Sequence, residues 1–283
     1  MSEVDACVWA VVLNWKDEES TSRCLRSLLR EPRIAGVVVV DNESEGELRA
    51  IATERVELIE LDANTGFSRG VNVGIKRALQ RGADAVFVIN NDAELGEAGI
   101  LPLLEAWHRD PDIGLLAPRV LDPDGTTQST GGRFRALDAS TTDLVTDGNL
   151  DYLTWACVLL PSRTIDNVGL LDEGFFMYWE DVDYGHRLKE AGLGMRVIGD
   201  THVYHERSKS HSRAGAAIQR YSTHGLVYFC LKRGGMAAFV GMPYRIAGRL
   251  VTAGKYGLEQ IRAVVQGARD GVYAFRRYRS RKR

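Results

Sequence analysis

Apolar residues in this chain come in short runs that end on polar residues, and these runs alternate with segments of helical spacing. Residues 8–13 are apolar throughout and too short for a typical helix, so they read as a buried strand. In residues 20–29 the apolar positions Cys24, Leu25, Leu28 and Leu29 keep a helical spacing, and Pro32 follows to stop it. Residues 36–40 carry four consecutive valines, a strand closed by Asp41. Residues 56–61 and 85–89 read as two further strands, and residues 67–80 and 97–107 as helices. Strands that alternate with helices predict right-handed crossovers and an α/β fold with a mainly parallel sheet.

In such sheets ligands sit beyond the carboxyl ends of the strands. That places Asn14 and Trp15, Asp41 and Asn42, Asp62 with Asn64, and residues 90–92 along one crevice. A nucleotide is the expected occupant. The turn after the first strand, Asn14-Trp15-Lys16-Asp17, lacks the glycines a dinucleotide needs, and the chain has no phosphate-cradling P-loop. The glycine-rich element comes later, where Gly66, Gly70 and Gly74 fall four apart on one helix face. Two readings stay open there: close packing on the sheet, or close approach of a ligand at the helix start. Arg69 adds a cation at the same place.

Residues 121–150 are rich in Asp, Gly, Thr and Ser with almost no pattern, and read as a long loop. Residues 152–160 read as a strand. Helical spacing returns after Gly215 and stops at Gly234-Gly235. A second set from Met236 interleaves Tyr244, Ile246, Leu250, Tyr256, Leu258, Ile261 and Val264 with arginines.

Composition narrows the class. The chain has 283 residues, 45% of them hydrophobic, which suits one large packed domain or a domain with an appendage. Cys7, Cys24, Cys157 and Cys230 are scattered without paired spacing, so we expect buried thiols in a reducing compartment and no structural zinc. The acidic start carries no secretory signal pattern, and no apolar stretch is long enough to span a bilayer. A cytoplasmic location is expected. The net charge of −2 hides an asymmetry: residues 231–283 hold 13 cations against Glu259 and Asp270, a net +11, leaving −13 for residues 1–230. Basic amphipathic helices with a polybasic end suit the inner face of the cell membrane, to which the chain would be peripheral. Ordinary packing onto the main body is the other reading. The acidic body disfavours nucleic acid.

One cluster stands out chemically. Glu180, Asp181 and Asp183 lie within four positions at the start of a predicted helix, after Tyr178 and Trp179. Capping accounts for carboxylates there, and so does a site that uses negative charge. A second acidic element, Asn90-Asn91-Asp92, ends the strand at 85–89.

Asn14, Asp41, the run from Asn64 to Asn72, Asn90-Asn91-Asp92 and Trp179-Glu180-Asp181-Val182-Asp183 occur in the order seen in glycosyltransferase family 2. The match resembles most its bacterial rhamnosyltransferase-like branch and covers residues 7–235. The resemblance implies a GT-A fold: a Rossmann-like sheet with a nucleotide-sugar half (1–120), an acceptor and catalytic half (121–235), and outside it a basic helical segment (236–283). It also implies inverting transfer from a nucleoside-diphosphate sugar, dTDP-L-rhamnose first and a UDP-sugar second, to a lipid-linked or cell-surface glycan. By resemblance, Asn14, Asp41, Asn64, Gly66, Phe67, Arg69, Asn72, Asn90 and Asn91 bind the nucleotide. The family's Asp-x-Asp motif is reduced here to Asp92, which would hold Mn²⁺ or Mg²⁺ with His205. Asp181 maps onto the general base and Glu180 beside it, with Tyr178, Trp179 and Asp183 toward the acceptor. Trp155 stands where the family commonly has glycine and would narrow the acceptor pocket. Lys209 and Arg213 are candidate diphosphate contacts. A non-catalytic nucleotide-sugar or glycan-binding protein on the same fold is the alternative, supported by the incomplete Asp-x-Asp motif.

Overall fold

The computed structural model describes residues 6–43, 46–206 and 209–281, without the side chains of residue 47 and residues 209–214. The strands are β1 (Val8–Asn14), β2 (Ile34–Asn42), β3 (Val56–Leu61), β4 (Ala85–Asn90), β5 (Ala93–Leu95), β6 (Ile113–Leu121), β7 (Thr127–Ser129), β8 (Arg133–Arg135), β9 (Ser140–Thr142), β10 (Cys157–Pro161) and β11 (Gly194–His205). The helices are α1 (Glu18–Leu29), α2 (Phe67–Gln80), α3 (Leu101–Arg109), α4 (Ser162–Val168), α5 (Glu180–Glu190), α6 (Lys209–Arg233), α7 (Met242–Gly254) and α8 (Leu258–Arg281).

One sheet runs through the molecule in the order β3-β2-β1-β4-β10-β6-β11-β5. The first four strands are parallel, as their alternation with helices requires. β10 enters antiparallel between β4 and β6, and β11 returns parallel to β6. Helices cover both faces, which explains the unbroken valine run of β2. Val37 and Val39 point into one core with α1 and α3, while Val38 and Val40 point into the other with α2. Each such buried valine contributes about 1.5 kcal/mol or more.

The glycine alternatives resolve here. A side chain at Gly70 would collide with Leu13, and one at Gly74 with Val11 of β1, so both let α2 lie close on the sheet. Gly66 has φ +83°, which a side chain resists, and its backbone meets the Phe176 carbonyl.

Residues 121–150 correct the loop expectation. β7 pairs with β6, and β8 and β9 form a hairpin. The expected strand at 152–160 begins only at Cys157. The C-terminal segment packs onto the body. Gly267 and Gly271 bring α8 against the Arg220 and His224 carbonyls of α6, and Phe275 and Tyr278 join an aromatic core around Phe175, Tyr228 and Phe229.

Candidate active site

The crevice at the strand ends is framed by asparagines. Asn14 closes β1 and is fully buried; its amide donates to Asp41 Oδ1 (2.8 Å), and its carbonyl accepts from Thr21 Oγ1 (2.8 Å). Asn91 reaches back from β4 to the Thr21 hydroxyl (3.2 Å). Asn42 organises the next loop. It accepts from the Thr65 backbone (2.8 Å) and donates to Asn64 Oδ1 (3.0 Å), which itself accepts the Gly66 N–H (2.9 Å). Phe67 begins α2 half-buried, its N–H given to the Phe176 carbonyl (2.6 Å), and Arg69 is exposed one residue beyond the buried Ser68. Asn72 is buried and exchanges both of its amide groups with the Leu171 backbone (2.9 and 3.1 Å). Asn14, Asn72 and Asn91, expected as nucleotide contacts, also hold the crevice together through these bonds.

Asp92 and His205 meet because their strands do. β5 pairs antiparallel with β11, with Ala93 opposite His205, and the Glu206 N–H donates to the Asp92 carbonyl (2.9 Å). His205 Nε2 lies 3.2 Å from Asp92 Oδ1 and 3.3 Å from Asn90 Nδ2. On the other ring edge, Nδ1 lies 3.0 Å from Gln128 Oε1. The Gln128 amide nitrogen donates to Asp122 Oδ1 (2.7 Å) and to the His205 carbonyl, so its oxygen faces the ring. An amide oxygen only accepts, so His205 donates from Nδ1 to Gln128 and presents Nε2 to Asp92. An imidazole nitrogen and a carboxylate oxygen side by side are a donor set that fits a divalent cation taking oxygen and imidazole ligands, Mn²⁺ or Mg²⁺. Among the described residues no group of three or more His, Cys, Asp or Glu side chains could hold a metal. Two protein ligands leave most of a cation's shell to water and a diphosphate. An open cavity of about 460 Å³ adjoins Asp92, lined also by Arg23, Glu94, Asp124 and Tyr204.

The acidic pair lies across residues 152–156. Ala156 takes the Asn90 N–H on its carbonyl (2.8 Å), and its neighbour Trp155 packs edge-on against Tyr184 of α5 at 5.0 Å. Tyr178 and Trp179 both adopt left-handed backbone (φ 70° and 76°) immediately before Glu180. Consecutive left-handed non-glycine residues are strained. Gly225 of α6 permits the turn, since a side chain there would collide with the Tyr178 carbonyl. Glu180 is buried with Oε2 bonded to nothing among the described residues, and burial and then the Asp181 charge push its carboxyl well above the usual range. Half-buried Asp181 accepts the Val182 N–H (2.8 Å). Desolvation, with a smaller contribution from Asp143, raises its pKa to about 7.

Three of the residues expected toward the acceptor are buried. Trp155 is buried on Tyr184 and fills the core, although its indole N–H lacks a partner among the described residues. Trp179 is buried against Phe134 and Phe229, so it forms no open wall. Asp183 is fully enclosed by Arg187 (3.0 Å), Lys232 (2.8 Å) and Arg233 (3.1 Å), and holds α5 to α6. Tyr178 stays half-buried beside Glu180, its pKa raised to about 12 by burial and that charge. The Lys209 and Arg213 side chains lie outside the described residues. Sequence reasoning missed Gln128, which orients His205, and Asp143, an exposed carboxylate that accepts from Tyr152 Oη (2.7 Å) near Asp181. Both lie in the patternless stretch, where no local signal marks them.

Comparison with known proteins identifies the family and the fold. The chain is 28% identical over 240 residues to N-acetylglucosaminyl-diphospho-decaprenol L-rhamnosyltransferase of Mycobacterium tuberculosis, covering 73% of this chain and 78% of that one. It is 26% identical over 227 residues to the low-salt glycan biosynthesis hexosyltransferase Agl10 of Haloferax volcanii, covering 75% and 71%. The crystal structure of GalNAc-T7 with UDP, GalNAc and Mn²⁺ superposes with a TM-score of 0.66 at 12% identity, covering 86% of this chain and 54% of that chain, and fixes the fold as GT-A. The profile described as Glycosyl transferase family 2 matches residues 9–168, more than half of the chain. This chain belongs to glycosyl transferase family 2, resembles its rhamnosyltransferase branch, and is a glycosyltransferase.

Proposed function

We propose that the enzyme moves rhamnose from dTDP-L-rhamnose to a hydroxyl of a lipid-linked or cell-surface glycan, inverting the anomeric centre. The observation that carries this reading is the adjacent carboxyls Glu180 and Asp181 at the strained start of α5, just after Phe176, whose carbonyl takes the Phe67 N–H at the start of α2. Desolvation there raises the Asp181 carboxyl to about 7, which suits a general base at neutral pH. Asp181 takes the proton of the acceptor hydroxyl as that oxygen attacks the anomeric carbon. The bond from that carbon to the diphosphate oxygen breaks on the opposite face, and its electron pair leaves with dTDP. Glu180, kept protonated by its burial, orients the acceptor or Asp181 by donating a hydrogen bond. Asp92 and the Nε2 of His205 would hold Mn²⁺ or Mg²⁺, with Gln128 fixing the His205 tautomer. A divalent cation there supplies charge neutralisation of the departing diphosphate. Asn64, with the helix start at Gly66 and Phe67, borders the nucleotide, and Asp41 and Asn90 close its floor. The named activity of the mycobacterial relative makes an N-acetylglucosaminyl-diphospho-polyprenol the first acceptor to try.

The test is turnover of dTDP-L-rhamnose and of a UDP-sugar with that acceptor, followed by NMR of the product's anomeric configuration. Inverted rhamnosyl product, with kcat lowered about 10²- to 10⁴-fold by Asp181→Asn, is expected. A retained configuration, or faster turnover of the UDP-sugar, would overturn it.

A further inference from the structure

α7 is built inside out. Its charged residues Arg245 and Arg249 face the body with Ile246, Leu250 and Ala253, and Arg249 donates to Ser222 Oγ and Thr223 Oγ1, both at 2.9 Å. Its outward face is Pro243, Tyr244, Ala247, Gly248 and Val251, all exposed and none charged. A helix on an aqueous surface shows the reverse polarity. Tyr244 is 67% and Val251 68% exposed, and the same surface continues to Phe239 (82%) before α7 and to Tyr256 (76%) and Leu258 (71%) after it. Contiguous exposed apolar surface of this kind marks an interaction site. Around it cations outnumber carboxylates: Lys255 and Arg262 are exposed beside the α7–α8 junction with Glu259 between them, and Arg269 is exposed further along α8, within a C-terminal segment of net +11.

We infer that the outward face of α7, with Phe239 and the α7–α8 junction, docks on an anionic phospholipid surface. Apolar and aromatic side chains enter the headgroup boundary while the flanking cations meet lipid phosphate. α7 lies in the plane of that surface, since among the described residues no helix is long and apolar enough to cross a membrane. Charge selects lipid over a second copy, because a twofold contact would set one cationic face against another. The inference deepens the lipid-linked acceptor reading and rests on it for its purpose: docking would bring the acceptor half to the surface that carries the acceptor.

The test is co-sedimentation of the full chain with phosphatidylcholine vesicles, with and without phosphatidylglycerol. The vesicles contain no glycan, so they read the surface alone. Nucleotide binding by calorimetry reads the transferase site separately, and we expect it unchanged in both variants below. Wild type should sediment with the phosphatidylglycerol vesicles and not with phosphatidylcholine alone. Phe239→Ser/Tyr244→Ser/Val251→Ser removes only exposed side chains, and should lower the partition coefficient at least about tenfold. Lys255→Gln/Arg262→Gln/Arg269→Gln should erase the preference for anionic lipid. Absence of wild-type sedimentation with phosphatidylglycerol vesicles, or equal partitioning of the serine variant, would overturn the inference. So would a solution dimer that the serine variant dissociates, which would make α7 an interface between copies.

Discussion

At the scale of single residues, the account rests on two carboxyls whose surroundings separate them. Glu180 is deeply buried with an oxygen that has no partner among the described residues, while Asp181 is only half-buried and keeps the Val182 N–H. A base with a pKa of about 7 must be ionised to act, so kcat/KM should rise with pH along a limb centred near that value. The same shift predicts a stability effect. The folded-state pKa lies above the unfolded value of about 3.9, so the contribution of Asp181 is fully present below that pH and is lost as pH rises through about 7. Asp181→Asn should therefore melt higher than wild type at pH 8 and equal to it near pH 3. Thermal melts across pH check both arms, and a variant less stable at pH 8 would refute the assigned environment. The acidic pair was legible in the sequence because three carboxylates in four positions demand a reason. Gln128 and Asp143 were not, because their roles come from β7 and the β8–β9 hairpin, elements of three residues each without a periodic signature.

At the scale of elements, the turn at Tyr178 and Trp179 and the clamp on Asp183 position the acidic pair. Asp183 draws Arg187, Lys232 and Arg233 together out of water, so its removal leaves Arg187 without a carboxylate and Lys232 and Arg233 with one each, Asp172 and Glu190. Asp183→Ala should cost about 3 to 5 kcal/mol of stability, read from urea unfolding; a loss of acceptor affinity at full stability would make Asp183 an acceptor contact instead. The strands β1, β2 and β4 were legible because burial on both faces turns each into an apolar run, while β3, at the sheet edge and half-buried, keeps Glu57 and Glu60 among its apolar residues. β6 was not read as a strand, since Pro118 interrupts it. That residue has no N–H for the ladder, and it sits at the register shift where β11 bulges between Ile198 and His202. The reading at 152–160 ran long because Leu153 and Trp155 are apolar through tertiary burial and not through strand pairing, and Tyr152 makes only a single bridge, to Gly132. Trp179 likewise reads as a sugar platform in sequence, and only the approach of Phe134 and Phe229 reveals it as core.

At the scale of the whole molecule, one continuous sheet carries the strand ends that border the crevice and the strand that brings His205 to Asp92. The basic segment beyond it is partly core and partly surface: α8 seals α6 through Gly267 and Gly271, while α7 turns its apolar face outward. The packing reading of that segment holds for α8, and α7 was not legible, because the pattern gives the amphipathic faces but not which one meets the body. The central claim is that Asp92 and His205 complete a nucleotide site through a divalent cation, although only one carboxylate of the family's motif remains. The most direct measurement is calorimetric titration of dTDP into the enzyme with and without Mn²⁺, on wild type and on Asp92→Ala. The account predicts dTDP binding that requires Mn²⁺ and disappears in Asp92→Ala. Binding of equal strength with or without Mn²⁺, and unchanged in Asp92→Ala, would contradict it.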